Sequence, residues 1–99
     1  MSTRKTEIAN EKNITTGYIL SRKDDDGDTE YFHKFEKHGN VVVTYNILEA
    51  HIFADMDGAE WAAASYQSDI LQVELAVVGV KKTVMWHRIC RVVDKYNLF

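Results

Sequence analysis

His87 and Cys90 are the side chains in this sequence whose types and spacing come nearest to covalent chemistry. They stand three residues apart, so on a helix they would share one face, with the imidazole as a base beside the thiol. Arg88 and Arg91 would favour the thiolate form of that cysteine. A single cysteine in an apolar segment is, however, more often a small buried hydrophobe, and no third side chain is placed to orient the histidine. The sequence also lacks a glycine-rich phosphate loop, and we therefore predict a protein that is not an enzyme.

An acidic stretch, DDDGDTE at residues 24–30, is the next candidate, because closely spaced carboxylates can bind calcium. If Gly27 were the sixth residue of a calcium loop, Arg22 would be the first and His33 the twelfth, and neither suits its position. We therefore expect no metal and no cofactor there. The stretch is instead interpreted as the solvated tip of a hairpin, with its carboxylates forming an acidic patch: Asp24, Asp25, Asp26, Asp28 and Glu30.

Basic residues are concentrated towards the end of the chain. Residues 1–14 carry a net charge of +1, residues 15–78 carry −8 and residues 79–99 carry +4. On a helix, the basic side chains of the last segment would form one stripe able to contact phosphates, with a tryptophan available for stacking. The same stripe is also typical of the solvated face of an amphipathic helix. The candidate nucleic-acid interface comprises these residues: Lys81, Lys82, Trp86, Arg88, Arg91 and Lys95.

Trp61 is the strongest indication of a protein interface. It lies in DGAEWAAASY, residues 57–66, for which Asp57 and Glu60 predict a capping box at the start of a helix. The face of this helix expected to pack on a core contains Ala59, Ala62, Ala63 and Tyr66. Because each residue turns a helix by about 100°, Trp61 should lie nearly opposite that face, and an exposed tryptophan beside small residues is typical of an interface. The predicted protein-binding surface consists of Asp57, Glu60, Trp61, Ala64 and Ser65.

Two other ways of covering the Trp61 side chain remain open. The apolar side chains of the C-terminal segment could cover it within the chain, or a second copy could cover it in a homodimer. Trp86, Ile89, Val93, Leu98 and Phe99 are the side chains that such a tail would use.

The elements that must position these residues follow from hydrophobic patterning. Alternating residues, or runs rich in β-branched and aromatic residues, predict strands at these ranges: 15–23, 29–37, 41–45 and 69–80. Asp26-Gly27 and His38-Gly39-Asn40 predict the turns between the first three strands, and Asn46 predicts a short helical turn that directs Ala50 and Phe53 inward. The final segment, TVMWHRICRVVDKYNLF, has apolar residues at helical spacing, although VMW and RVV leave a strand as the alternative.

These elements define the expected fold class and domain organisation. We predict an α+β protein: a small antiparallel β-β-β-α-β sheet with one covering helix and a C-terminal helix. Residues 1–14 are polar and predict a flexible arm, and residues 15–99 form a single domain. With one cysteine, a polar start and no apolar run long enough for a bilayer, we expect a cytoplasmic protein with no membrane role.

Residues 17–78 contain, in order, an aromatic first strand, the acidic hairpin tip, EYFHKF, ILEAHIF, the helix DGAEWAAA and the strand VELAVV. This order resembles a group of small α+β accessory proteins of unknown function that bacteriophages encode. The resemblance implies a phage accessory protein in the host cytoplasm and no particular chemistry. We therefore expect a non-enzymatic protein that binds and modulates a host protein, such as one of host defence or transcription. The alternative is a small nucleic-acid-binding module that uses the basic C-terminal segment, with weak and salt-sensitive contacts.

Overall fold

The computed structural model describes residues 14–81 and 84–97, with side chains described outside residues 80–86. In this part of the chain, five strands form one antiparallel sheet and a single α-helix packs on it. The strands are β1 (Ile14–Lys23), β2 (Thr29–Phe35), β3 (Val41–Thr44), β4 (Asp69–Lys81) and β5 (Val84–Tyr96), and the helix α1 is Met56–Tyr66. Their order across the sheet is β3-β2-β1-β4-β5, so β1 is the central strand. The predicted flexible arm falls largely on residues 1–13, which lie outside the described residues.

The predicted C-terminal helix is wrong, because this segment forms the 13-residue strand β5 beside β4. Two β-bulges in β5 explain the helical spacing of its apolar residues. Ile89 lies opposite Leu75 and Val92 lies opposite Val73, with Cys90 as an extra residue between them and Val93 as an extra residue after Val92. Each extra residue shifts the two-residue alternation of a strand by one position, which gives the spacings of three that indicate a helix. The fold is therefore β-β-β-α-β-β and mostly sheet.

Helix α1 is confirmed, including the face that it buries. Its buried residues are the four that the pattern predicts: Ala59, Ala62, Ala63 and Tyr66. The expected cap at Asp57 is wrong, because the carboxylate of Asp55 accepts the bond from the Gly58 N–H at 2.8 Å. Gln67 ends the helix in the left-handed conformation, and its N–H donates to the Ala63 carbonyl.

The predicted turns are also present. Gly27 has a positive φ at the tip of the β1–β2 hairpin, and His38 and Gly39 have positive φ in the turn between β2 and β3. The side chain of Asn46 accepts a bond from the Leu48 N–H and begins a short 3-10 turn, Ile47–Glu49. Ala50 after that turn is buried, as the sequence predicts.

The ladder between β1 and β2 opens partway along, and a later segment of the chain fills the gap. The two strands pair from Ser21–Tyr31 to Lys23–Thr29. Beyond that point, Tyr18 and Phe53 exchange two backbone hydrogen bonds of 3.0 and 2.7 Å, while the His51 N–H donates to the Phe32 carbonyl at 2.9 Å. The chain therefore passes between β1 and β2 before it enters α1. Burial lowers the pKa of His51 in this segment, and His33 lowers it further.

The sheet has an apolar cluster on each face. The cluster under α1 is Leu20, Phe32, Ala59, Ala62, Ala63, Tyr66 and Ile70. The cluster on the other face, under the segment that follows β3, is Ile19, Ala50, Val73 and Leu75. The sequence predicts that the helix covers one face of the sheet. That residues 46–53 cover the opposite face is evident only from the structure.

Candidate protein-binding surface

Trp61 is exposed over 70% of its surface and contacts the sheet through an aromatic neighbour. Its ring stands edge-on to Phe35, with 6.1 Å between the ring centroids. Phe35 ends β2 and packs in turn on the buried Phe32, with centroids 4.8 Å apart. An exposed aromatic side chain has few rotatable bonds, so it loses little conformational entropy when a partner covers it.

The other residues of the predicted surface lie around Trp61 on the outer face of α1. Each of them is exposed, and together with Trp61 they define what we call the Trp61 surface: Asp57, Glu60, Trp61, Ala64 and Ser65. The small side chains of Ala64 and Ser65 allow close approach to the indole ring, and the two carboxylates lie towards the start of the helix. The helical periodicity alone predicts this grouping. Nothing in the sequence indicates that Phe35 packs against Trp61.

The C-terminal strand lies away from the Trp61 surface. β5 forms the edge of the sheet beyond β4, whereas Trp61 packs on a residue of β2, on the other side of the central strand. Ile89 packs with the cluster on the face opposite α1. Leu98 and Phe99 lie outside the described residues, as does the side chain of Trp86. The part of the tail that the structure describes therefore leaves Trp61 uncovered.

A groove adjoins the Trp61 surface through Phe35. It has a volume of about 460 Å³ and lies at the β2–β3 turn. We call it the turn groove, and its lining residues are Lys34, Phe35, Glu36, Lys37, His38 and Asn40. The sequence predicts the end of a strand and a turn at these residues. Nothing in the pattern indicates that Phe35, at the end of β2, contacts Trp61 of α1.

The acidic hairpin uses one carboxylate to organise its own loop. The Oδ1 atom of Asp24 accepts the N–H groups of Asp26 and Asp28 at 2.9 and 2.8 Å, and its Oδ2 atom accepts the Tyr45 hydroxyl at 2.8 Å. The bond from Tyr45 lowers the pKa of Asp24 below its ordinary value. Asp25, Asp26 and Asp28 are exposed to solvent. Among the described residues, no group of three or more His, Cys, Asp or Glu side chains is arranged to hold a metal ion.

Glu30 is the buried member of that patch, and it lines a pocket together with Asp24 and Asp25. It is only 6% exposed, and its Oε2 atom accepts the Tyr66 hydroxyl at 2.6 Å. The Arg22 guanidinium lies 3.5 Å from the same oxygen, donates to the Tyr66 carbonyl at 2.8 Å and covers the Tyr66 ring. Burial and the bond to Glu30 raise the pKa of Tyr66 well above its usual range. The network connects the end of α1 to β1 and β2, and the solvent-exposed residues of the acidic patch are aspartates.

Arg88, Arg91 and Lys95, the residues of the predicted basic stripe whose side chains the structure describes, lie on a strand and not on one helix face. Arg91 pairs with Glu74, and the Lys95 ammonium lies 3.2 Å from a carboxylate oxygen of Asp69. The register with β4 places Arg91 and Arg88 on one face of the sheet and Lys95 on the other. Lys81 ends β4 and Trp86 lies in β5, although their side chains, and the whole of Lys82, lie outside the description.

The histidine and cysteine of the tail do not share a helix face either. Both lie on β5, where His87 is opposite Val77 and Cys90 is the extra residue of a bulge. The exposed Cys90 donates its S–H to the Glu74 carbonyl at 3.3 Å. The helix on which His87 and Cys90 would share a face is therefore replaced by a strand.

No protein family, characterised protein or solved structure matches this chain. No helix in the described part of the chain is long and apolar enough to cross a membrane. Its function is therefore inferred from its own residues.

Proposed function

We propose that this protein is a non-enzymatic protein-binding domain and that the Trp61 surface is its contact site. The observation that carries the proposal is the 70% exposure of a tryptophan whose ring packs edge-on against Phe35. Tryptophan is enriched among the residues that dominate binding energy, and its large ring loses little conformational entropy on binding. The resemblance to phage accessory proteins favours a host protein as the partner, with a second copy of the chain as the rival.

The test compares Trp61→Glu with Leu48→Glu. Leu48 is also exposed, over 58% of its surface, but it lies in the 3-10 turn after β3, away from α1. Circular dichroism establishes that each variant is folded, and sedimentation measures self-association. Purified protein immobilised on resin then captures partners from a bacterial lysate, and the affinity for the recovered partner is measured for each variant.

We expect Trp61→Glu to weaken binding by about 2 kcal/mol or more, roughly 30-fold, because the anchor of the interface becomes charged. Leu48→Glu should bind like the unmodified protein. Equal loss in both variants, or unchanged binding by a folded Trp61→Glu variant, would contradict the proposal. Loss of self-association alone would assign the surface to a homodimer.

The nucleic-acid alternative is less well supported. Arg91 and Lys95, two cations of the predicted stripe, are paired with acidic side chains of β4, and a phosphate would have to displace those partners. Arg88 is exposed. A gel shift at two salt concentrations tests this alternative, since phosphate contacts weaken steeply as salt rises.

A further inference from the structure

Strand β5 is a long edge of the sheet. It runs for 13 residues, Val84–Tyr96, whereas β3 at the opposite edge has four, Val41–Thr44. Within the described residues 14–81 and 84–97, β5 pairs with β4 alone and leaves its outer row of backbone N–H and C=O groups without a strand. Such a row is a template for a further strand, and proteins commonly keep their edge strands short for this reason.

Three charged residues of β5 lie on the face of the sheet that carries α1. They are opposite alternate residues of β4, and in order they are Arg88, Arg91 and Asp94. The two bulges add one extra residue on each side of Arg91, so Arg88 and Asp94 each lie two positions of β4 away from it. Within the described residues neither Arg88 nor Asp94 is in an ion pair, and Asp94 accepts the Lys95 N–H at 2.8 Å. A positive and a negative group are thus placed symmetrically about Arg91.

Two apolar residues of β5 have the same symmetry on the opposite face. Ile89 and Val92 lie one position of β4 on either side of Arg91. They are opposite Leu75 and Val73, which belong to the apolar cluster on that face. Val92 is nevertheless exposed over 44% of its surface, so this end of the cluster is open at the edge of the sheet.

We propose that the outer edge of β5 pairs with β5 of a second copy of this chain, antiparallel and about a two-fold axis at Arg91. Such an axis brings together residues that lie at equal distances from it. Arg88 is then opposite Asp94 of the second copy, and the symmetry forms this ion pair twice. On the other face, Ile89 is opposite Val92 of the second copy, which closes the open end of the apolar cluster.

The charges of β5 select the second copy as the occupant of this edge. Charged side chains on an edge strand usually prevent pairing with other chains, because like or unpaired charges would meet. Here the two-fold pairing matches the charges of Arg88 and Asp94 and the apolar residues at the same time. The two Arg91 side chains meet at the axis, where each is already paired with Glu74 of its own chain.

The proposed dimer goes beyond the proposed function and uses a different part of the molecule. Trp61 contacts Phe35 of β2, on the other side of the central strand from β5. Pairing through β5 therefore leaves the Trp61 surface accessible to its own partner, and the two five-stranded sheets become continuous.

The first test is an exchange of charges, with dimerisation measured by analytical ultracentrifugation and folding by circular dichroism. Arg88→Asp and Asp94→Arg each place like charges opposite one another twice in the dimer, whereas the double variant restores opposite charges. Each single substitution should weaken dimerisation about tenfold or more, and the double variant should recover most of the loss. Lys37→Asp changes the charge as Arg88→Asp does, but at the β2–β3 turn, and should dimerise like the unmodified protein.

The second test is a crosslink that reports the register. On a Cys90→Ser background, Arg91→Cys places a thiol at the axis, where paired strands bring their Cα atoms to about 4.5–5.5 Å, within reach of a disulfide. Mild oxidation with copper phenanthroline should therefore crosslink two copies. Lys95→Cys on the same background is the control, because in this register its two copies lie about 20 Å apart and should stay separate.

The proposal is overturned if the unmodified protein is a monomer at roughly 1 mM, or if the folded single variants dimerise as it does. It is also overturned if the double variant recovers nothing, or if Lys95→Cys crosslinks as readily as Arg91→Cys. Trp61→Glu separates this inference from the proposed function, because it should release the captured partner and leave the β5 dimer intact. A dimer that Trp61→Glu abolishes and the charge variants retain would assign self-association to the Trp61 surface and overturn the pairing of β5.

Discussion

At the scale of single residues, the carboxylate of Glu30 is buried and has an energetic consequence. Removing a carboxylate from water is costly unless charged or hydrogen-bonding groups compensate for the lost hydration. Tyr66 and Arg22 provide that compensation, and the contact of Arg22 with the Tyr66 carbonyl also places a cation at the negative end of the α1 dipole. The network therefore joins the end of the helix to both strands of the first hairpin.

Replacing Tyr66 by phenylalanine should lower the free energy of unfolding by about 1–3 kcal/mol, because it removes a buried donor and leaves the Glu30 oxygen short of a partner. Urea denaturation measures the loss. Tyr45→Phe is the control, since its hydroxyl donates to an exposed aspartate, and its effect should be smaller. Equal effects of the two substitutions would show that burial of Glu30 adds nothing to the interaction.

The same tyrosine predicts how stability depends on alkaline pH. Its pKa is raised in the native protein, whereas in the unfolded chain it stays near 10. The contribution of the neutral hydroxyl is therefore complete below pH ~10 and is lost as the pH rises further. Urea denaturation between pH 8 and 11 should show a steeper decline for the unmodified protein than for Tyr66→Phe, and parallel curves would contradict the assignment.

At the scale of elements, two aspartates near the start of α1 could cap the helix, and the structure shows which of them does. The sequence offers Asp55 and Asp57, and the Gly58 N–H points to Asp55. Asp55→Ala should cost about 1 kcal/mol through loss of the cap, with a smaller cost for Asp57→Ala, which removes only a favourable charge in the first turn. Thermal denaturation of both variants measures the difference, and a larger effect at Asp57 would return the cap to the position that the capping box predicts.

Gly17 of β1 lies where the segment containing Ile52 packs against the sheet. A Cβ atom at Gly17 would lie 2.7 Å from a methyl group of Ile52 and 2.8 Å from one of Leu75, closer than normal contacts allow. Gly17→Val should therefore destabilise the protein by about 1–3 kcal/mol through overpacking. Thr16→Val, on the neighbouring exposed position of β1, is the control and should be nearly neutral. A stable Gly17→Val variant would mean that Ile52 packs elsewhere.

At the scale of the whole molecule, β4 has a neighbouring strand on each side. Residues 70–76 have β1 on one side and β5 on the other, whereas β3 is an edge strand that pairs with β2. Native-state hydrogen exchange should show 70–76 opening only with global unfolding and residues 41–44 of β3 exchanging faster. The two strands belong to one sheet, so each serves as the control for the other, and equal protection of both would contradict the strand order.

The sequence by itself determined those features that depend on residues close together in the chain. The turns at Gly27 and His38, the face of α1 that is buried and the exposure of Trp61 follow from positive-φ residues and helical periodicity, which neighbouring residues establish. The residues of the Trp61 surface were found in the same way, because one helix turn brings them together. The site is in this respect more predictable than the sheet around it.

Only the tertiary structure decided the features that depend on which distant segments meet. The bulges of β5 arise from its pairing with β4, and they turn a strand pattern into one that reads as a helix. The burial of Glu30 and the contact between Phe35 and Trp61 likewise depend on where α1 lies on the sheet. Periodicity records the environment of a residue within one element, whereas pairing partners and packing between elements are settled by the free energy of the whole chain, which no local pattern contains.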